Sequence, residues 1–142
     1  ELLRSQAGFE LVKKAKLDFD RSAQLEITGP GMYHFADIKL HISTEASEDA
    51  ETFTVSDLEL PLLLRYWQTG DKIQLQGLGG SKKLSDLLSE RKADQLSRAR
   101  QLVLCDQRNL LWVIGLRRSS FAAQPKQDAQ VWWIRIEYDR FT

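Results

Sequence analysis

At 142 residues the chain is long enough for one domain, or two small lobes, with a sizeable buried core. No apolar run is long enough to span a membrane and no signal peptide opens the chain, so a soluble cytoplasmic protein is expected. Twenty Lys and Arg balance twenty Asp and Glu, and a net charge of zero taken alone argues against a nucleic-acid partner.

The first half reads as β-rich. Phe9, Leu11, Leu17 and Phe19 alternate over Gly8 to Asp20, and Ser22 to Ile27 suggests another strand. Gly29-Pro30-Gly31 is a turn, because glycine supplies positive φ and proline fixes its own. Tyr33, Phe35, Ile38, Leu40 and Ile42 then keep period two on either side of a bulge expected at Ala36-Asp37. On one continuous alternating strand His34 and His41, seven apart, would point to opposite faces and share no site. The acidic stretch Ser43 to Glu51 has nothing to bury and reads as a mobile loop. Phe53 and Val55 resume a strand, which Ser56-Asp57 breaks.

From Leu60 the composition changes. Leu60-Pro61-Leu62-Leu63-Leu64 is buried chain, Thr69-Gly70-Asp71 has turn chemistry, and Ile73 with Leu75 marks a strand. Asp71 is expected to hydrogen-bond that turn or to orient Arg65 rather than to act as an acid. Gly77-Leu78-Gly79-Gly80-Ser81 leads into Leu84, Leu87 and Leu88, one apolar helical face, with Ser81 as the expected N-cap and Lys82 and Lys83 in the first turn. Cations there oppose the helix macrodipole. They are read as phosphate contacts, or else as ordinary lysines whose stems cover apolar surface. Asp94 can cap a second short helix carrying Arg98 and Arg100, so helices are expected largely within Lys82 to Gln101. Leu102 to Cys105 and Leu110 to Ile114 read as strands joined by the polar turn Asp106 to Asn109, and Val131 to Tyr138 as a closing strand. The four tryptophans, Trp67, Trp112, Trp132 and Trp133, lie in apolar strands where burial is the default.

Charge is segregated along this order. Residues 1–60 carry −6 and residues 61–120 carry +6. Such asymmetry marks either a nucleic-acid face or an acidic segment packed beside a basic one. The basic set is Arg65, Lys72, Lys82, Lys83, Arg91, Lys92, Arg98, Arg100, Arg117 and Arg118, dense enough to track an RNA backbone. Other chemistry finds little footing. Gly80-Ser81-Lys82-Lys83 is not the Gly-Lys-Ser/Thr order of a Walker A loop, and no Gly-x-Gly-x-x-Gly opens a βαβ unit. Cys105 is the only cysteine, which excludes an internal disulfide, and with two histidines there is no metal-ligand spacing. Its apolar run makes it a buried small hydrophobe.

Arg65, Gly70-Asp71, Gly77, Lys82-Lys83-Leu84, Arg91-Lys92, Arg98, Arg100, Trp112-Val113 and Gly115-Leu116-Arg117 follow one another in an order and spacing that resembles the C-terminal domain of tRNA(Ile)-lysidine synthetase. The likeness is clear over Leu60 to Ser120 and looser over Leu25 to Ile42. It implies an α+β fold of layered β-sheets with two short central helices, similar to a domain of the phenylalanyl-tRNA synthetase beta subunit. It also implies a bacterial ligase that uses ATP and Mg to join lysine to the wobble cytidine of tRNA(Ile). That chemistry would sit in an N-terminal domain whose Ser-Gly-Gly-x-Asp-Ser-like loop this chain lacks. The chain, which starts at Glu1 without methionine, is then expected to be a fragment with no cofactor or catalytic residue of its own. Its expected role is to bind the acceptor stem, with residues 1–59 a β-rich lobe and 60–142 the basic tRNA-recognition lobe. A structural or dimerisation domain, including a homodimer, and a module for a small phosphorylated ligand at Gly77 to Lys83 stay open as alternatives.

Overall fold

The computed structural model describes residues 20–75, 80–91, 94–121 and 128–139. The strand read within Gly8 to Asp20, the glycines Gly77 and Gly79, and Lys92 lie outside or almost wholly outside these residues. Strands β1 (Gln24–Ile27), β2 (Gly31–Phe35), β3 (Ile38–Ser43), β4 (Ala50–Thr54), β5 (Leu62–Tyr66), β6 (Lys72–Gln74) and β7 (Ser81–Lys83) precede two helices, α1 (Leu84–Glu90) and α2 (Gln95–Ala99). Strands β8 (Leu102–Cys105), β9 (Leu110–Val113), β10 (Arg117–Arg118) and β11 (Val131–Tyr138) follow. The fold is α+β, mostly sheet, with the two helices in the middle of the chain.

All pairings are antiparallel. One sheet has the order β1-β5-β8-β9-β10, a second the order β2-β3-β11-β4, and β6-β7 form a two-stranded ribbon. The larger sheets each take strands from both sides of residue 60, since β1 pairs with β5 and β11 pairs with β3 and β4.

Packing makes three layers. Ile38, Leu40, Ile42, Phe53, Trp132 and Ile134 of the four-stranded sheet meet Ile27, Leu62, Leu64, Leu104 and Trp112 of the five-stranded sheet in the main core. On the other face of the five-stranded sheet, Val103, Cys105 and Val113 are covered by Ile73 of the ribbon, Leu75, and Leu84 and Leu87 of α1. Strand β8 is therefore buried at every position, which is why Leu102 to Cys105 is a continuous apolar run rather than an alternating one. Burial of each such aliphatic side chain contributes about 1.5–3 kcal/mol.

Four local expectations are corrected. Ala36-Asp37 is a two-residue hairpin turn, with Phe35 opposite Ile38 and Ala36 at φ 53°, not a bulge in one strand. The chain reverses there, so His34 pairs with Lys39 and His41 with Met32, and both histidines face outward on the same side. His34 Nε2 lies 3.1 Å from Asp139 Oδ2, and His41 Nε2 lies 3.2 Å from Glu137 Oε1. The acidic stretch is shorter than expected as a loop, because Ala50 and Glu51 already belong to β4, and Val55–Asp57 is a 3-10 turn rather than strand.

Candidate functional site

The basic half is organised by one turn. Gly70 at φ 99° lets the chain reverse between β5 and β6. Asp71 accepts from the Gln68 N–H at 2.7 Å and grips Arg65 with both oxygens, 2.9 Å to Nη1 and 3.0 Å to Nη2. Its carbonyl accepts the Leu84 N–H at 3.0 Å, fixing the start of α1 against the same turn. Asp71 thus has the structural role expected of it. Burial opposes the charge on Arg65, yet the hydrogen bonds it donates to Asp71 carry its pKa upward. The Arg65 guanidinium also donates to the Tyr66 carbonyl at 3.0 Å, so this cation is held inside the fold.

The ribbon then sorts the lysines. Ile73 is fully buried and stands opposite Lys82, while Lys72 stands directly opposite Lys83 on the exposed side with Gln74 and Ser81. Lys82 turns inward and pairs with Glu90 at the end of α1. Lys72 and Lys83 project together to solvent. Like charges directly across a ladder are destabilising by a few tenths of a kcal/mol or more, and nothing in the packing requires this pair.

This arrangement corrects the reading of residues 81–83. They form a strand, not a helix turn. Lys83 is itself the N-cap of α1, in extended backbone and with no side-chain cap bond, and Ser81 is two residues upstream in β7. Pairing with β6 and burial of Ile73 win over continuation of the helix. The second helix starts as expected, with Asp94 accepting the Ser97 N–H at 2.7 Å.

Of the other cations, Arg117 pairs across from Val113 and so lies on the ribbon side of the five-stranded sheet. The ribbon is tied to the chain beyond β10, where the Ser120 N–H donates to the Gln74 carbonyl at 2.9 Å. Arg91 is exposed at the C-terminus of α1, where a cation suits the dipole. Arg98 Nη1 donates to Ser89 Oγ at 3.1 Å, joining α2 to α1. Lys72 and Lys83 thus stand on the ribbon, Arg91 ends α1 of the same layer, Arg98 is tied to α1 through Ser89, and Arg117 lies on the ribbon side of the five-stranded sheet. Arg118 faces the other way. It pairs across from Trp112, sits 4.1 Å over the Phe53 ring, and donates to the Thr52 carbonyl at 2.6 Å and the Phe121 carbonyl at 3.1 Å. Burial lowers its pKa, and Glu51 at 3.5 Å partly offsets that. Arg100 lines a cleft with Asp37 and Tyr138.

That cleft was not visible in the sequence. Its walls come from the β2–β3 turn, the end of α2, the β9–β10 turn and the last residues of β11, four segments far apart in the chain. Cys105 behaves as expected. It is buried, and burial pushes its thiol up to about 11 despite nearby Arg65. Trp112 and Trp132 are buried, whereas Trp67 and Trp133 are half-buried; Trp67 Nε1 donates to the Arg98 carbonyl at 2.6 Å. Among the described residues no group of three or more His, Cys, Asp or Glu could hold a metal ion.

A three-layer α+β domain with a lysine-bearing ribbon on its outer layer is the class that this architecture defines. Residues 62–137 match the family described as the TilS substrate C-terminal domain, and the chain belongs to that family. It is 34% identical over 95 residues to the tRNA(Ile)-lysidine synthase of Geobacillus kaustophilus, covering 66% of this chain and 20% of that protein. It is 34% identical over 104 residues to the tRNA(Ile)-lysidine synthase of Bacillus cereus, covering 67% and 22%. A solved structure described as a TILS C-terminal domain superposes with a TM-score of 0.73 at 25% identity, covering 84% of this chain and 98% of that one. The chain spans about a fifth of the length of the relatives it matches.

Proposed function

We propose that this chain is the tRNA-gripping end of a tRNA(Ile)-lysidine synthase, an ATP-dependent ligase that joins lysine to the wobble cytidine of tRNA(Ile). In this reading it holds the acceptor stem while ATP, Mg and lysine are handled elsewhere in the longer protein. The observation that carries the reading is the exposed cross-strand pair Lys72 and Lys83. A like-charge pair that costs the ribbon stability is explained by an anion bound between or along the two ammonium groups. Phosphates of duplex RNA supply such anions at regular spacing, and duplex RNA is recognised chiefly through shape, phosphates and 2′-hydroxyls. Arg117, on the ribbon side of the five-stranded sheet, and Arg91 and Arg98, at the helices that follow the ribbon, add further cations to the same half of the chain. Among the described residues Asp71, just before the ribbon, is committed to Arg65 and to the Gln68 N–H, which does not suit it to hold Mg with ATP.

Internal charge complementarity is the rival. Arg118 and Arg108 do pair with Glu51 and Glu59 of the acidic segment, but Arg65 and Lys82 pair within the basic segment itself, with Asp71 and Glu90, and Lys72 and Lys83 stand exposed. A titration of the chain with tRNA(Ile), a DNA duplex and ATP separates the readings. Binding of tRNA well ahead of DNA, with no binding of ATP, is expected. Binding of ATP alone would favour the small-ligand reading, and no binding to any of the three would favour the structural one.

A further inference from the structure

We propose that the cleft beside Tyr138 receives one unpaired nucleotide of the bound RNA, its base against the Tyr138 ring and its phosphate against Arg100. The inference rests on the tRNA-binding reading and adds a second contact of different chemistry. The cleft measures about 340 Å³, within the range of small-ligand sites and suited to a single nucleotide rather than a duplex. Its floor is apolar, formed by Ile38, Leu102 and Ile114, all nearly inaccessible to solvent.

Polar groups stand at its edges. Arg100 follows the last turn of α2 with an exposed side chain, Ser97 lies one helical turn before it, and Asp37 projects from the β2–β3 hairpin. Tyr138 is 53% exposed, an unusual place for a large aromatic ring. Its position is nonetheless fixed. Strand β11 pairs Tyr138 with Ile38, and the Asp139 N–H donates to the Asp37 carbonyl at 2.8 Å. Gly115, at φ 77°, lies so close beneath the phenol that a Cβ there would collide with the Tyr138 hydroxyl.

The chemistry of a nucleotide matches this distribution. An aromatic ring stacks any base, the guanidinium takes one phosphate, and the Asp37 carboxylate can accept from ribose hydroxyls or an exocyclic amine. The same carboxylate repels a second phosphate. The cleft therefore suits a strand end or a flipped-out residue better than continuous backbone. The ribbon, with lysines and no exposed aromatic ring, has the opposite character and suits duplex.

The test uses this chain and two RNA hairpins of one stem sequence, one blunt and one with a short 3′ single-stranded extension, followed by fluorescence anisotropy. The chain should bind the extended hairpin about tenfold more tightly than the blunt one, the size expected for stacking one base. Tyr138→Ala should abolish that difference and leave the blunt hairpin's affinity unchanged, while Tyr138→Phe should keep it. Gly115→Ala, which displaces the ring, should act like Tyr138→Ala. Lys72→Ala with Lys83→Ala should weaken both hairpins by the same factor. Equal binding of the two hairpins by the unaltered chain, or an equal loss on both in Tyr138→Ala, would overturn the nucleotide cleft and leave the ribbon grip standing. Failure to bind either hairpin would overturn the grip and the cleft together.

Discussion

Asp71 holds both terminal nitrogens of Arg65, at 2.9 and 3.0 Å, and through its backbone carbonyl also holds the first amide of α1. One residue in one turn thereby connects the five-stranded sheet, the ribbon and the helix. The pair is mostly sheltered, with side-chain exposures of 17% and 14%, so losing one partner strands a charge in a poorly solvated place.

Replacing Asp71 by Asn should therefore lower stability by about 2–3 kcal/mol. A shifted urea midpoint with an unchanged slope is the expected result. Tolerance of the substitution with no shift in midpoint would show that solvent or another acceptor takes over the guanidinium.

Asp106 makes a second prediction. It is buried and accepts backbone amides from Glu59 at 2.9 Å, Arg108 at 2.8 Å and Asn109 at 2.6 Å, closing the turn between β8 and β9 and pinning the approach to β5. Asp106→Ala leaves those donors without their acceptor and should cost about 2–3 kcal/mol. Hydrogen exchange should speed up at Glu59 and Asn109 ahead of the rest of the sheet.

The ribbon lysines should behave in the opposite sense. Lys83→Glu turns a like-charge cross-strand pair into an attractive one and should leave the fold as stable or a few tenths of a kcal/mol more stable. Its tRNA affinity should fall at the same time. A thermal melt and a binding isotherm on the same sample check both halves of the statement.

Cys105 should react slowly. With its thiol pushed up to about 11, the fraction ionised at pH 8 is on the order of one in a thousand, and burial adds a steric barrier. Alkylation by iodoacetamide should run well below the rate of an unfolded control and rise steeply where the fold opens.

Much of this molecule is legible in its sequence because the relevant physics is local. Leu102 to Cys105 reads as buried strand from composition, Asp94 reads as a helix cap from its position, and Asp71 reads as a turn-former facing Arg65. The three-layer packing even explains why β8 does not alternate. What could not be read depends on pairing between distant residues. Ser81 to Lys83 precede a leucine pattern of helical spacing, and only the partner strand at Lys72 to Gln74 removes them from the helix. The hairpin at Ala36-Asp37 lacks the glycine or asparagine that usually announces a positive-φ turn, so period two alone sends the two histidines to opposite faces. A bulge supplies another hidden step. Leu104 pairs with Trp112 but Cys105 with Leu110, which lets Leu111 and Trp112 both enter the main core.

The candidate site divides in the same way. The lysines and arginines are plain in the sequence, but their directions are not. Strand pleat sends Lys83 outward beside Lys72 and Lys82 inward to Glu90, and it sends Arg117 and Arg118 to opposite faces of one sheet. The Tyr138 cleft has no sequence pattern, because segments near residues 37, 100, 115 and 138 meet only in the fold.

The salt dependence of tRNA binding tests the central claim most directly. Each duplex phosphate neutralised contributes roughly −0.9 to the slope of log affinity against log salt. If Lys72 and Lys83 each hold a phosphate, the Lys72→Ala, Lys83→Ala variant should bind more weakly and its slope should be shallower by about 2 than that of the unaltered chain. An unchanged slope and affinity in a variant of undiminished thermal stability would contradict the ribbon as the RNA grip.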